Sequence, residues 1–319
     1  MRIGLSFVLC CVYSGCPVAE TLYVTLEKDN AIAIVDAASQ KVRKTIEVGQ
    51  RPRGIALSPD GANLFVAVSD EDTILAIDPR DLSVKTRLPS GEDPETFVVG
   101  TFGKRLYVSN EDDNLVTVID LKSGLLLGTI PVGVEPEGIA ASPDGKWIVS
   151  TSETTNMVHW IDPTSLEVRD NTLVDPRPRA AAFTSDSRQL WVTSEIGGSL
   201  LVIDIESKQI LKKIKFEVPG VRAGTIQPVG VAIDKERKYG FVALGPANRV
   251  AVVDAATLEV IKYLLVGQRV WNLAFSRDQK WLYTTNGVSN DISIIDLDDL
   301  RVVKSLVVGR YPWGVAVGP

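Results

Sequence analysis

Three cysteines, one histidine and two methionines are all that a chain of 319 residues offers to sulfur or imidazole chemistry. Cys10, Cys11 and Cys16 sit at the extreme N-terminus, so a chain shortened beyond them has no thiol for a disulfide, a nucleophile or a metal. His159 cannot build a typical zinc site without cysteine partners, and no Cys-x-x-Cys-His sequence exists to attach haem. No serine stands in a Gly-x-Ser-x-Gly elbow, which disfavours the hydrolases built on a Ser-His pair. Blocks of like charge are missing too. The 34 basic and 40 acidic residues are interspersed, with a formal net charge of -6, which argues against a nucleic-acid partner. The 17 prolines and 25 glycines are scattered, so there is no linker or low-complexity segment. What remains, 45% hydrophobic and 23% charged, is the composition of an ordinary soluble globular protein with a large core.

One apolar run stands apart. Residues 3–13 follow Arg2 and lead through small residues to Ala19, which is the charge, length and exit chemistry of a secretory signal. The run is too short to cross a bilayer, so no transmembrane segment is expected. Residues 1–19 therefore read as a signal peptide and residues 20–319 as a periplasmic domain, expected to be monomeric. A lipoprotein acylated at Cys16, in Ser14-Gly15-Cys16, is the alternative, with bulky Tyr13 where such boxes usually carry an aliphatic residue.

The body of the chain repeats one phrase. An apolar strand ending in Val-Asp or Ile-Asp recurs at Asp36, Asp78, Asp120, Asp162, Asp204, Asp254 and Asp296, at steps of 42, 42, 42, 42, 50 and 42 residues. The 319 - 19 = 300 remaining residues divided by seven give about 43, so the repeat fills the domain. Several short strands per period of this size are the signature of propeller blades. The predicted fold is all-β, a seven-bladed β-propeller of four-stranded antiparallel blades. In one unit, strands are expected at residues 52–57, 64–68 and 74–77, with a fourth around 82–85 and a tight reversal at Ser58-Pro59-Asp60-Gly61. Apolar residues are expected to be densest in the first and third strands of a blade, where neighbouring blades cover both surfaces.

The two ends complement one another. The chain stops on a lone first strand, residues 311–319, and residues 22–46 supply the second, third and fourth strands of the same missing blade. Pairing them closes the ring and removes an open sheet edge.

The repeated Val-Gly-x-x-Pro-x-Gly-Ile-Ala-x-Ser-Pro-Asp-Gly, then Leu-Tyr-Val, then Asn-x-Val-x-Val-Ile-Asp, resembles the YVTN-type β-propeller repeat. It is best seen in residues 132–140 and 106–110 and covers essentially the whole of residues 20–319. Chain length, signal and repeat number are similar to periplasmic propellers associated with pyrroloquinoline quinone (PQQ)-dependent alcohol catabolism and an accompanying transport system. That resemblance implies a non-enzymatic binding or scaffold protein whose partner is a periplasmic dehydrogenase, a cytochrome or a transport component. The alternative is a propeller enzyme, lactonase-like, or an electron-transfer subunit resembling amine dehydrogenase heavy chains. No covalent cofactor is expected, and association with PQQ or calcium stays open.

The seven aspartates are uniform and are each followed by a small polar or acidic residue three positions on, so they read as turn formers rather than a carboxylate ring. His159, inside a third strand, reads as a structural histidine. Function is sought where the repeat varies. Residues flanking the repeated proline should line one mouth of the central channel, and they differ from blade to blade: Arg51 and Arg53, Asp93 and Glu95, Glu135 and Glu137, Arg177 and Arg179, Gln227 and Val229, Arg269 and Trp271, Tyr311 and Trp313. Two readings compete. The charges neutralise one another around a solvated funnel, or arginine forks hold a carboxylate or phosphate while the aromatics cover an apolar portion. The four carboxylates could instead collect a hard cation such as calcium. Acidic loops at residues 70–72 and 111–113, Glu153, and an insertion near 218–227 fall on the same face. An acidic rim would steer a basic partner.

Overall fold

The computed structural model describes residues 20–319; the signal-like segment and the Cys16 alternative lie outside the described residues. Seven four-stranded antiparallel sheets are arranged as blades, and the only helical turns among the described residues are two of the 3-10 type, Ser69–Glu71 and Ala223–Thr225. Blade 1 combines residues 312–318 with 21–47. Blades 2 to 7 follow in sequence at 52–89, 94–131, 136–173, 178–215, 231–265 and 270–307.

Closure of the ring follows the expected pairing. Pro312–Gly318 runs antiparallel to Thr21–Leu26, with Val315 opposite Val24 and Val317 opposite Leu22. Seven clusters of buried side chains fill the seven seams between blades; in the closing seam Leu22 and Val24 meet Ile292 and Ile294 of blade 7. Each seam is a slice of core, and together they replace the single core of a smaller domain.

Two details depart from the sequence expectation. In blade 2 the strands fall at Pro52–Leu57, Leu64–Val68 and Thr73–Ile77, but the fourth is Val84–Pro89. The Asp78 turn delays it: Leu82 adopts a left-handed φ of 67° and donates to the Asp78 carbonyl at 2.8 Å. The strands buried on both faces are the second and third rather than the first and third. The innermost strand is only partly covered, because one side of it borders the channel.

All seven aspartates hold turns. Each side chain accepts a backbone N–H from a residue two or three positions on, as in Ser123 to Asp120 at 2.7 Å, Ser207 to Asp204 at 2.8 Å and Thr257 to Asp254 at 2.8 Å. These bonds keep the Asp120, Asp204 and Asp254 carboxyls below the ordinary range. The insertion lies between Ile210–Lys215 and a shortened innermost strand, Val231–Ile233. Phe216, Val218 and Ile226 anchor it in the seam between blades 5 and 6.

Candidate functional site at the channel mouth

The mouth is built from a strained backbone position. In six blades the residue before the innermost strand is left-handed: Arg51, Asp93, Glu135, Arg177, Arg269 and Tyr311 have φ between 50° and 59°. Non-glycine residues rarely adopt this conformation unless their surroundings enforce it. The enforcing group is the Asn or Asp that opens the third strand of the preceding blade. Asn114 accepts the Glu135 N–H at 3.0 Å, Asn156 that of Arg177 at 3.0 Å and Asn248 that of Arg269 at 2.9 Å. Asn30, Asp72 and Asn290 do the same for Arg51, Asp93 and Tyr311.

The carbonyl of the same strained residue accepts the N–H of the residue that follows the second strand. Glu111 bonds Asp93 at 3.0 Å, Glu153 bonds Glu135 at 2.9 Å, Glu195 bonds Arg177 at 2.8 Å and Glu27 bonds Tyr311 at 3.0 Å. The mouth therefore has a third ring of side chains, dominated by glutamates. Sequence reasoning noted Glu111 and Glu153 only as loop acids and missed Glu27 and Glu195. The signal was available, because 27, 69, 111, 153 and 195 are spaced by 42.

In six blades the second residue of the innermost strand is Arg53, Glu95, Glu137, Arg179, Trp271 or Trp313, while in blade 6 the equivalent Val229 precedes the shortened strand. Threonines on second strands latch this ring to its neighbours. Thr25 Oγ1 donates to the Arg53 carbonyl at 2.8 Å, Thr151 to that of Arg179 at 2.7 Å and Thr285 to that of Trp313 at 2.6 Å.

Charges on the three rings pair extensively. On one side Arg53 Nη1 bonds Glu95 Oε2 at 3.0 Å, while Arg51 reaches Asp93, Asp70 at 2.7 Å and Glu95 Oε1 at 3.5 Å. That last contact is Coulombic only; Glu95 Oε1 is buried and makes no hydrogen bond. On the other side Arg179 contacts Glu137 at 2.9 Å, Glu153, and Glu195 at 3.8 Å. Arg177 Nε lies 2.9 Å from Glu153 and 3.1 Å from Glu195, and Arg269 reaches Glu195 at 3.1 Å. Arg269 and Arg179 lie over the Trp271 ring and Arg53 over Trp313, at 4.2, 5.8 and 5.2 Å from the centroids.

Burial makes these charges matter. Glu95 is 0% exposed; burial, then the Glu137 carboxylate, drives its carboxyl well above the usual range against the pull of Arg53. Burial pushes Glu153 up to about 7, opposed by Arg179. Burial acts to lower Arg179, but Glu137, Glu153 and Glu195 outweigh it and hold the guanidinium above its ordinary value.

A cavity of about 390 Å³ opens into the mouth, and Arg51, Arg53, Asp93, Glu137, Arg177, Arg179, Arg269 and Trp271 line it with Glu111, Asp112 and Glu195. Glu135 instead accepts a hydrogen bond from Thr154, and Trp313 sits lower, beside a gap of about 30 Å³. Glu95 lies behind the wall. Among the described residues two cavity carboxylates, Glu111 and Asp112, have no ion pair and no side-chain hydrogen bond, and of these Asp112 is exposed while Glu111 is half-buried. Burial, then the Glu137 and Asp93 carboxylates, raises the Glu111 pKa, with Arg179 and Arg53 opposing.

Asp93, Glu95 and Glu111 each bring an oxygen within 4.8 Å of the others, a spacing a hard cation could bridge. Arg51 already contacts Asp93, and Arg53 already bonds Glu95, so an ion would compete with two guanidiniums. His159 takes no part in this chemistry. Its Nε2 accepts the Gly133 N–H at 2.9 Å and its Nδ1 lies 2.6 Å from Asn171 Oδ1, which fixes a neutral ring protonated at Nδ1. Burial lowers its pKa.

A protein-family model described as lactonase, 7-bladed beta-propeller, matches residues 19–130, about a third of the chain. That description names a lactonase and a blade number, not YVTN repeats or PQQ-dependent catabolism. No curated protein matches. Among solved structures, a putative 6-phosphogluconolactonase from Bacteroides uniformis is 14% identical with a TM-score of 0.80, over 94% of this chain and 99% of that one. The periplasmic gluconolactonase of Pseudomonas aeruginosa is 16% identical with a TM-score of 0.78, over 94% and 99%. Kuenenia stuttgartiensis hydrazine synthase is 22% identical with a TM-score of 0.79, over 86% and 92%. The likeness is one of fold. One propeller evidently serves several chemistries.

Proposed function

We propose that the channel mouth hydrolyses lactones of small hydroxy acids, sugar-acid lactones foremost, and that the protein works in the periplasm. Glu111 carries this reading. It is a half-buried carboxylate on the cavity wall that no arginine pairs, and its pKa is raised, which suits a general base. The family model over residues 19–130 and the gluconolactonase names of two structural neighbours support the same activity. The signal-like N-terminus, together with the periplasmic neighbour, supports the compartment.

The chemistry follows from the cavity. Water adds to the lactone carbonyl carbon while the Glu111 carboxylate takes one of its protons. Arg53 and Arg179, whose fields already reach Glu111, face the negative charge that develops on the carbonyl oxygen. The ring C–O bond then breaks, and the departing alkoxide recovers the proton from Glu111. The product is a hydroxy acid whose carboxylate suits the cavity's guanidiniums.

Acid release from δ-gluconolactone, followed by pH-stat, tests the reading. Wild type should exceed the spontaneous rate, and Glu111→Gln should lower kcat by about 10²–10⁴-fold with an unchanged melting temperature. No acceleration across a panel of γ- and δ-lactones, or full kcat in Glu111→Gln, would overturn it.

A further inference from the structure

The face opposite the mouth carries a second departure from the repeat. The turn between first and second strands reads Ser58-Pro59-Asp60-Gly61 in blade 2 and Ser142-Pro143-Asp144-Gly145 in blade 4, with Asp186 and Asp278 at the same place in blades 5 and 7. In each, the aspartate accepts the hydroxyl two residues earlier, at 2.5 Å for Ser58 and 2.7 Å for Ser142, Thr184 and Ser276. Blade 3 has Gly100-Thr101-Phe102-Gly103 instead. Its backbone turn survives, with Gly103 N–H to the Gly100 carbonyl at 2.7 Å and Gly100 N–H to that of Arg105 at 2.9 Å. Phe102 contributes no turn bond and is 75% exposed. Neither local structure nor core packing accounts for it.

Phe102 reaches across to blade 4, where a Cβ on Gly145 would stand 2.8 Å from its ring. Beside it a cavity of about 240 Å³ opens between the blades, walled by Phe102, Tyr107, Ile148 and Pro163. Lys104 and Arg105 line the same space. Arg105 donates to the Pro163 carbonyl, and among the described residues neither cation has a carboxylate partner. The positions equivalent to Arg105 in blades 2, 4, 5, 6 and 7 hold Asn63, Trp147, Gln189, Tyr239 and Trp281. An aromatic-walled cavity with two unneutralised cations is a recognition site for an anion that has an apolar body.

We propose that this cavity is a second ligand site, specific for a small carboxylate with a flat or short apolar body. The Arg105 fork and the Lys104 ammonium take the carboxylate; Phe102 and Tyr107 cover the remainder. The volume falls below the ~300–1,000 Å³ of drug-sized sites, so the ligand is nearer benzoate than a sugar phosphate. The site is independent of the chemistry at the mouth.

Calorimetric titration of the full domain with benzoate tests this, with acetate and benzyl alcohol as probes lacking the apolar body or the charge. Benzoate should bind and raise the melting temperature, and each half-probe should bind about tenfold more weakly or worse. Arg105→Gln and Phe102→Asp should each weaken benzoate by about tenfold or more, and because Phe102 makes no turn bond and is largely exposed, Phe102→Asp should keep the wild-type melting temperature. Glu111→Gln should leave benzoate affinity unchanged. No binding at about 10 mM benzoate, wild-type affinity in both blade 3 variants, or tighter binding in Glu111→Gln, which removes a negative charge from the mouth and would place the anion there, would each overturn the proposal.

Discussion

Replacing Arg179 with methionine is the perturbation whose size the structure defines best. Arg179 is 7% exposed and is the common partner of Glu137, Glu153 and Glu195. Methionine keeps most of the length and apolar contact but strands three carboxylates around a missing charge. Breaking a buried ion pair from one side costs about 3–5 kcal/mol. In a domain of this size, at roughly 2 °C per kcal/mol, that corresponds to a fall in Tm of about 6–10 °C. The pH dependence identifies the cause. Glu153 already has a folded pKa near 7 against an ordinary value of 4.5, so its charged form is disfavoured by folding. Without Arg179 that folded pKa rises further. A raised carboxyl contributes stability that is fully present below its unfolded value and is lost as pH rises through the folded one. The deficit of Arg179→Met should therefore be largest at pH 8 and shrink toward pH 5. Calorimetric melting of both proteins across that range is the assay. A deficit that is absent, or constant with pH, would refute the buried-network account.

Four further outcomes are expected. Deleting residues 311–319 removes the strand that closes blade 1, and the product should unfold or oligomerise in size-exclusion chromatography and melting; an unchanged Tm with monomeric elution would refute the closure. Gly138→Ala drives a Cβ into the Arg179 carbonyl oxygen, so its Tm should fall by the equivalent of about 1–3 kcal/mol or more, and an unchanged Tm would show that the inner ring is looser than described. His159 has a folded pKa depressed below 6.5, so its stabilisation is present above that value and is lost as pH falls through it toward the folded pKa; His159→Gln should flatten that part of the pH–stability curve. Asn156→Ala removes the acceptor that holds Arg177 in the left-handed region and should cost about 1 kcal/mol in denaturant melts, with a larger proportional loss of lactone turnover.

Seven-fold architecture, blade register and ring closure were legible because they rest on repetition: seven Val/Ile-Asp phrases and a lone first strand at the C-terminus complementing three strands at the start. Part of the mouth was legible for a related reason: of the positions that escape the repeat, Arg51, Arg53, Asp93, Glu137, Arg177, Arg179, Arg269 and Trp271 line the cavity, while Glu95, Glu135, Tyr311 and Trp313 do not. What sequence could not supply was the distribution of charge partners. Arg51 and Glu135 occupy equivalent positions, yet one spans three carboxylates and lines the cavity while the other is bonded by Thr154. Nor does composition distinguish Glu111 from its neighbours Asp112 and Asp113. The role proposed for Glu111 rests on a backbone bond to Asp93 that places it at the cavity, on its half-buried position and on its lack of an ion pair with the arginines that share that cavity. The repeated asparagines were read as part of a family signature; their physical task, holding a left-handed residue 21 positions downstream, emerges only in three dimensions.

The pH dependence of kcat/KM for δ-gluconolactone in wild type and Glu111→Gln tests the central claim most directly. A general base must be ionised, and the Glu111 carboxyl is raised above its ordinary 4.5, so the wild-type rate should climb with pH through a midpoint above that value. In Glu111→Gln the climb should vanish and the remaining rate should be low and flat. An identical profile in the two proteins, at comparable rates, would contradict the assignment of Glu111 and with it the hydrolytic reading of the mouth.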